Sequence, residues 1–160
     1  MVEVDVVLKD IVVSKEGYLD IRDLYKLIQN SLKNMKYPLL VEKEHNVTSQ
    51  KVKIRLDAKK ALNDYTRLVL KTTIEGSDIK KVKLKSKETY EGKFKIKLEA
   101  EIEKDYEDTY EDKPIFKFFR ELFDYIVKAS DFNRFNQMLK NDLYSLRDEI
   151  KAYLEIEKFD

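Results

Sequence analysis

Two periods of hydrophobicity divide the chain. In residues 2–13, Val2, Val4, Val6 and Leu8 alternate with Glu3, Asp5 and Lys9, and Ile11–Val13 extend the run. This predicts a strand with the valines inward and Gly17 at its end. Asp20, with Asp23 three residues on, predicts a helix N-cap, and Ile21, Leu24, Tyr25, Ile28, Leu32 and Met35 follow at helical spacing. Asn30-Ser31 leaves open whether one helix or two short ones form here, and Pro38 closes the segment. Period two then returns. Leu39 and Val41 open a strand with Glu42 and Glu44 opposite. Val52, Ile54, Leu56 and Ala58 alternate with Lys51, Lys53, Arg55 and Asp57. Leu68, Leu70 and Ile74 form a run closed by Gly76, Val82 and Leu84 a further one, and Phe94, Ile96, Leu98, Ala100 and Ile102 the last, entered after Gly92. One apolar and one charged side per strand is the pattern of an antiparallel sheet wet on one face. From Pro114, suited to a first helical position, the period is 3.6 again. Phe118, Phe119, Leu122 and Ile126 form one stripe, Ser130 or Asp131 offers a second cap, and Leu139, Leu143, Leu146, Ile150 and Tyr153 recur at spacings of four and three. The predicted fold class is α+β: a curved antiparallel sheet of about six strands packed on a long C-terminal helix, with one or two short helices after the first strand.

That order of elements resembles the START-like (SRPBCC) helix-grip superfamily, in which a curved antiparallel sheet wraps the last helix. The resemblance spans nearly the whole chain and rests on topology rather than on a motif. The segments EGYLDIRDLYKLI and SLRDEIKAYLEI are also similar to uncharacterised archaeal proteins. The superfamily implies an apolar chamber between sheet and last helix that holds a hydrophobic small molecule. Its lining here would be Phe94, Ile96, Leu98, Leu139, Leu143, Leu146 and Ile150. These bulky side chains could equally fill the space themselves, and the glycine-rich loop of many ligand-binding members is missing.

Composition narrows the chemistry. The 160 residues suit one domain, 1–160, large enough for a proper core, and no linker or repeat divides them. Cysteine is absent, which removes disulfides, thiolate catalysis and thiolate zinc sites and agrees with a cytoplasmic address. The start of the chain is interrupted by acidic residues and does not read as a signal or transit peptide, and no apolar run reaches membrane-span length. Gly17, Gly76 and Gly92 are isolated, so neither a phosphate-binding loop nor a dinucleotide fingerprint is present. His45 is the single histidine and reads as a residue near solvent. No nucleophile–base pair is evident and no cofactor is expected. An enzyme working through carboxylates or tyrosines in a cleft would need a buried carboxyl with a raised pKa.

Charged residues make up 39% of the chain but net to only +1, so any electrostatic function depends on where the charges lie. Lys81, Lys83, Lys85, Lys87, Lys93, Lys95 and Lys97 all fall at odd positions, opposite Val82, Leu84, Phe94 and Ile96. If a loop ETYEG joins the two strands symmetrically about Tyr90, Lys87 faces Lys93, Lys85 faces Lys95, Lys83 faces Lys97 and Lys81 faces Glu99. Seven ammonium groups would then share one face, partly neutralised by Glu3 and Asp5 of the first strand. Such a face suits RNA, DNA or an acidic protein partner; the scarcity of arginine argues against specific base reading. The aromatic segment KPIFKFFRELFDYIV spreads its rings over more than half a helix circumference. Phe116 and Phe123, seven residues apart, lie on one line there and offer a homodimer or partner interface. The leading expectation is a non-enzymatic binding protein for an apolar ligand; the alternative is an adaptor that uses its lysine face.

Overall fold

The computed structural model describes the backbone of residues 3–63, 65–84, 87–104 and 114–157, and the side chains of 3–63, 65–83, 89–104 and 133–155. The elements follow in the order β1 (Glu3–Leu19), α1 (Ile21–Asn34), β2 (Leu39–Val47), β3 (Lys51–Ala61), β4 (Thr66–Leu84), β5 (Lys87–Lys104) and α2 (Pro114–Glu157). All five strands are antiparallel neighbours in one sheet ordered β1-β5-β4-β3-β2, so the first strand lies beside the last.

The chain turns into α1 where the sequence signals it. The Asp20 carboxylate accepts from the Asp23 backbone N–H at 3.1 Å, satisfying one of the donors a helix start leaves open. The helix continues through Asn30-Ser31 without a break. Ser31 is buried rather than exposed as a breaker would be, and its hydroxyl bonds Glu149 of α2. Ile21, Leu24, Ile28 and Leu32 face the core. On α2, Phe135, Leu139, Leu143, Leu146, Ile150 and Leu154 form a buried stripe at spacings of three and four. The inner face of the sheet opposes it with Val52, Ile54, Leu56 and Ala58 from β3, Leu68, Leu70 and Ile74 from β4, and Phe94, Ile96, Leu98, Ala100 and Ile102 from β5. α2 packs on β1, β5, β4 and α1.

Five strands form instead of about six because the two runs around Gly76 are one strand. β4 passes through Gly76 and is kinked, not ended, by a bulge between Ser77 and Lys80, where Asp78 takes φ +52°. Gly76 and Gly92 serve close packing. A Cβ on Gly76 would lie 3.1 Å from the Phe94 ring, and one on Gly92 would lie 2.9 Å from both Ile79 Cγ2 and the Ser77 carbonyl oxygen. Gly17 likewise lies inside β1, paired with Gly92 at φ +126°.

The hairpin register also departs from the symmetric expectation. Leu84 pairs with Lys87, so ETYEG is strand and Tyr90 pairs with Lys81. Lys83 pairs with Glu88, while Lys93, Lys95 and Lys97 pair with Ser77, Glu75 and Thr73. In β1, register shifts between Val6 and Leu8 and again between Leu8 and Ile11, with Asp10 at φ +60°, change the phase of the strand. Glu3 and Asp5 pair with Lys104 and Ile102 on the helix side of the sheet, and Asp5 forms an ion pair with Lys104 at 2.9 Å. Val4 and Val6 consequently point to the outer face and are half exposed.

Candidate functional site: a lysine-walled trough on the outer sheet face

Antiparallel register aligns residues of four neighbouring strands into rows that cross the sheet. Near one end, Ser14, Lys95, Glu75 and Lys53 form one row, and Glu16, Lys93, Ser77 and Lys51 form the next row on the same outer face. Between them, Lys15, Phe94, Gly76 and Val52 alternate to the helix side. These twelve residues line a trough of about 600 Å³. The two outer rows are its walls and the backbone of the middle row its floor. Three strand spacings make it roughly 14 Å long.

The walls carry four lysines against two glutamates. Glu75 is held by Lys97 at 3.4 Å, and Lys53 reaches Glu44 at only 4.0 Å. Lys51, Lys93 and Lys95 form no ion pair among the described residues. Lys15 belongs to the other side of the sheet, where its ammonium reaches the Leu154 carbonyl of α2 at 3.5 Å. The trough is therefore net positive and presents ammonium groups to solvent. Beyond it, toward Lys104, the same face is compensated: Lys71 pairs with Glu101 at 3.1 Å, and Arg67 and Lys59 both pair with Glu103.

Of the lysines singled out in the sequence, Lys93 and Lys95 stand in the trough walls and Lys97 beside them. The bulge in β4 reverses the parity of Lys81 and Lys83, which pair with Tyr90 and Glu88 rather than with other lysines. Lys85 lies outside the described residues, and of Lys87 only the backbone is described. Sequence reasoning missed Lys51 and Lys53. Their alternation with Val52 and Ile54 was visible, but the β3–β4 register that carries them to Lys93 and Lys95 was not. The candidate chamber residues Phe94, Ile96, Leu98, Leu139, Leu143, Leu146 and Ile150 meet in the core at 0–1% exposure. A void large enough for a water molecule would expose them, so these side chains fill the space between sheet and helix. Phe116 and Phe123 lie in α2, outside the residues whose side chains are described.

A second group of polar side chains gathers where α1 crosses the β2–β3 edge. Strict alternation would place Glu42 and His45 on opposite faces. A register shift between Glu42 and Glu44 brings both to the inner face, paired with Leu56 and Ile54. His45 Nδ1 and the Tyr25 hydroxyl (3.2 Å) bond the same Glu42 carboxylate oxygen, and the Tyr25 and His45 rings meet edge-on with centroids 6.1 Å apart. The His45 hydrogen bond holds the Glu42 carboxyl below its usual range, whereas burial, and then Glu42, push the Tyr25 hydroxyl up. Nothing in the sequence signals the bulge that makes this pair. His45 and Tyr25 border a cavity of about 390 Å³, together with Arg22, Lys26 and Gln29 of α1 and Val47, Ile54 and Tyr90 of the sheet. Among the described residues, no cluster of three or more histidine, aspartate and glutamate side chains could hold a metal ion, and no helix is long and apolar enough to cross a membrane.

No family model and no curated protein matches this chain. A solved structure of a delta-endotoxin aligns with a TM-score of 0.34 and 12% identity, over 63% of this chain and 60% of that one. The chain thus spans less than two thirds of that protein's length, and a likeness this low carries no inference on fold or function.

Proposed function

We propose that the protein acts by binding, and that its partner is an acidic polypeptide segment laid across the outer-face trough. The observation that carries this reading is the convergence of Lys51 and Lys53 from β3 with Lys93 and Lys95 from β5 around one open trough. At about 3.3 Å per extended residue, a trough roughly 14 Å long accommodates four to five residues. Lysines act there as point charges that steer and hold an anionic chain without demanding a fixed geometry. A nucleic acid is the less favoured occupant: the walls contain no arginine for bidentate contact and no aromatic side chain for base stacking. The order of elements and the placement of β1 beside β5 support a helix-grip-like classification, with the space between sheet and last helix occupied by side chains rather than by an apolar ligand.

Fluorescence anisotropy with a labelled hexaglutamate peptide tests the proposal. Binding should weaken between 50 and 200 mM salt, and the K51E/K93E/K95E variant should lose at least about tenfold in affinity. Equal affinity of variant and parent would remove the trough from consideration. Tighter binding of an oligouridylate of matched charge would replace the polypeptide by RNA.

A further inference from the structure

The α1–β2–β3 cavity is separate from the trough and from the filled space under α2, and shares no lining residue with the trough. We propose that it is a second binding site, for a small carboxylate that also carries a hydroxyl group. Arg22 and Lys26 would receive the carboxylate, and His45, fixed by Glu42, would accept a hydrogen bond from the hydroxyl.

Three observations support this assignment independently of the trough. The cavity, about 390 Å³, lies within the size range of small-molecule sites and combines an apolar floor, Val47, Ile54 and Tyr90, with polar groups at its rim. Arg22 and Lys26, one helical turn apart on α1, both border it, and neither has an ion-pair partner among the described residues. Arginine's planar fork matches a carboxylate in two parallel bonds. His45, finally, has a defined tautomer. An ionised Glu42 can only accept, so Nδ1 must carry the proton it donates, and in the neutral ring Nε2 is then an acceptor. The Tyr25 hydroxyl donates to the same carboxylate oxygen. Asp20 and Gln29 also border the cavity, the Asp20 carboxylate being engaged by the Asp23 backbone N–H, so the lining combines two cations with the His45 acceptor and an apolar floor, a set that suits a hydroxy acid better than a plain hydrocarbon.

His45 is the sole histidine, so its ring signals in long-range ¹H–¹⁵N spectra need no assignment by mutation. At a pH where the ring is neutral, the free protein should show the Nδ1–H tautomer, and E42Q should lose that preference. Titration with 4-hydroxybenzoate should shift the Nε2 signal saturably. Benzoate should leave Nε2 nearly unmoved, and the methyl ester of 4-hydroxybenzoate should bind at least about tenfold more weakly. The R22Q/K26Q variant alters two exposed side chains and so should keep its fold, checked by its backbone spectrum; it should lose a similar factor for the acid and little for the ester. The proposal is overturned by an Nε2–H tautomer, by no saturable shift up to roughly 10 mM 4-hydroxybenzoate, near the weakest affinity expected of a ten-atom fragment, or by equal binding of acid and ester.

Discussion

Gly92 shows how a residue identity can be visible and its role still hidden. In sequence it marks the entry to a strand; in the structure it lies inside β5, where a Cβ would lie 2.9 Å from Ile79 Cγ2 and from the Ser77 carbonyl oxygen. Gly92→Ala drives its methyl into the β4 backbone and should destabilise by about 1–3 kcal/mol, as overpacking does; chemical denaturation measures it. Thr72 presents the reverse case. It lies on the inner face at 2% exposure, and its hydroxyl has no hydrogen-bond partner among the described residues. Thr72→Val removes an unsatisfied polar group at nearly constant shape and should leave stability unchanged or raise it by about 1 kcal/mol. Tyr37 gives a pH signature. Fully buried, it donates to Asp142 at 2.8 Å under the Lys60 ammonium, and burial followed by the Asp142 charge raises its pKa strongly. The folded chain therefore keeps a proton that the unfolded chain releases above about pH 10. Stability from this group is whole below that pH and declines above it, by up to about 1.4 kcal/mol per pH unit. Denaturation midpoints of Tyr37→Phe and parent between pH 9 and 11 should show the steeper loss in the parent.

At the scale of elements, periodicity revealed which segments are helix and which are strand, because α1, the described part of α2, and β3 and β5 each bury a stripe at regular spacing. The Asp20 cap was legible for the same local reason: a carboxylate and the amide it serves are three residues apart. What periodicity could not locate was phase. Bulges at Val6–Leu8, Leu8–Ile11, Glu42–Glu44 and Ser77–Lys80 each shift a strand's faces, and a one-residue shift exchanges the two sides of a strand. Two of the bulges place Asp10 and Asp78 in left-handed conformations, for which a single sequence offers only the weak hint that aspartate tolerates them. The expected seven-lysine face dissolved at the last of these shifts, and the Glu42–His45 pair was created by another. The helix–sheet contact itself does not depend on phase errors in β1. Leu143, fully buried in the α2 stripe, should cost about 2–5 kcal/mol when replaced by alanine, read as a fall in denaturation midpoint.

At the scale of the whole molecule, the described residues of a near-neutral chain separate their charges along the outer face of the sheet. One part of the outer face neutralises itself through Lys71–Glu101 and the Arg67 and Lys59 contacts to Glu103, while the trough at the other end keeps Lys51, Lys93 and Lys95 uncompensated among the described residues. Half of the trough was legible, since Lys93 and Lys95 were singled out by their alternation with Phe94 and Ile96; the other half depends on a long-range register that a sequence does not print. The chamber expected between sheet and terminal helix was read from real residues, and the structure brings all seven together, but as packing. The most direct measurement is a backbone ¹H–¹⁵N titration of the protein with hexaglutamate. Saturable shifts concentrated at Lys51, Lys53, Gly76, Ser77, Lys93 and Lys95, and fading as salt is raised, are the predicted result. Shifts concentrated instead on α2 and the inner face around Ile96 and Leu143, or none at the trough, would contradict it.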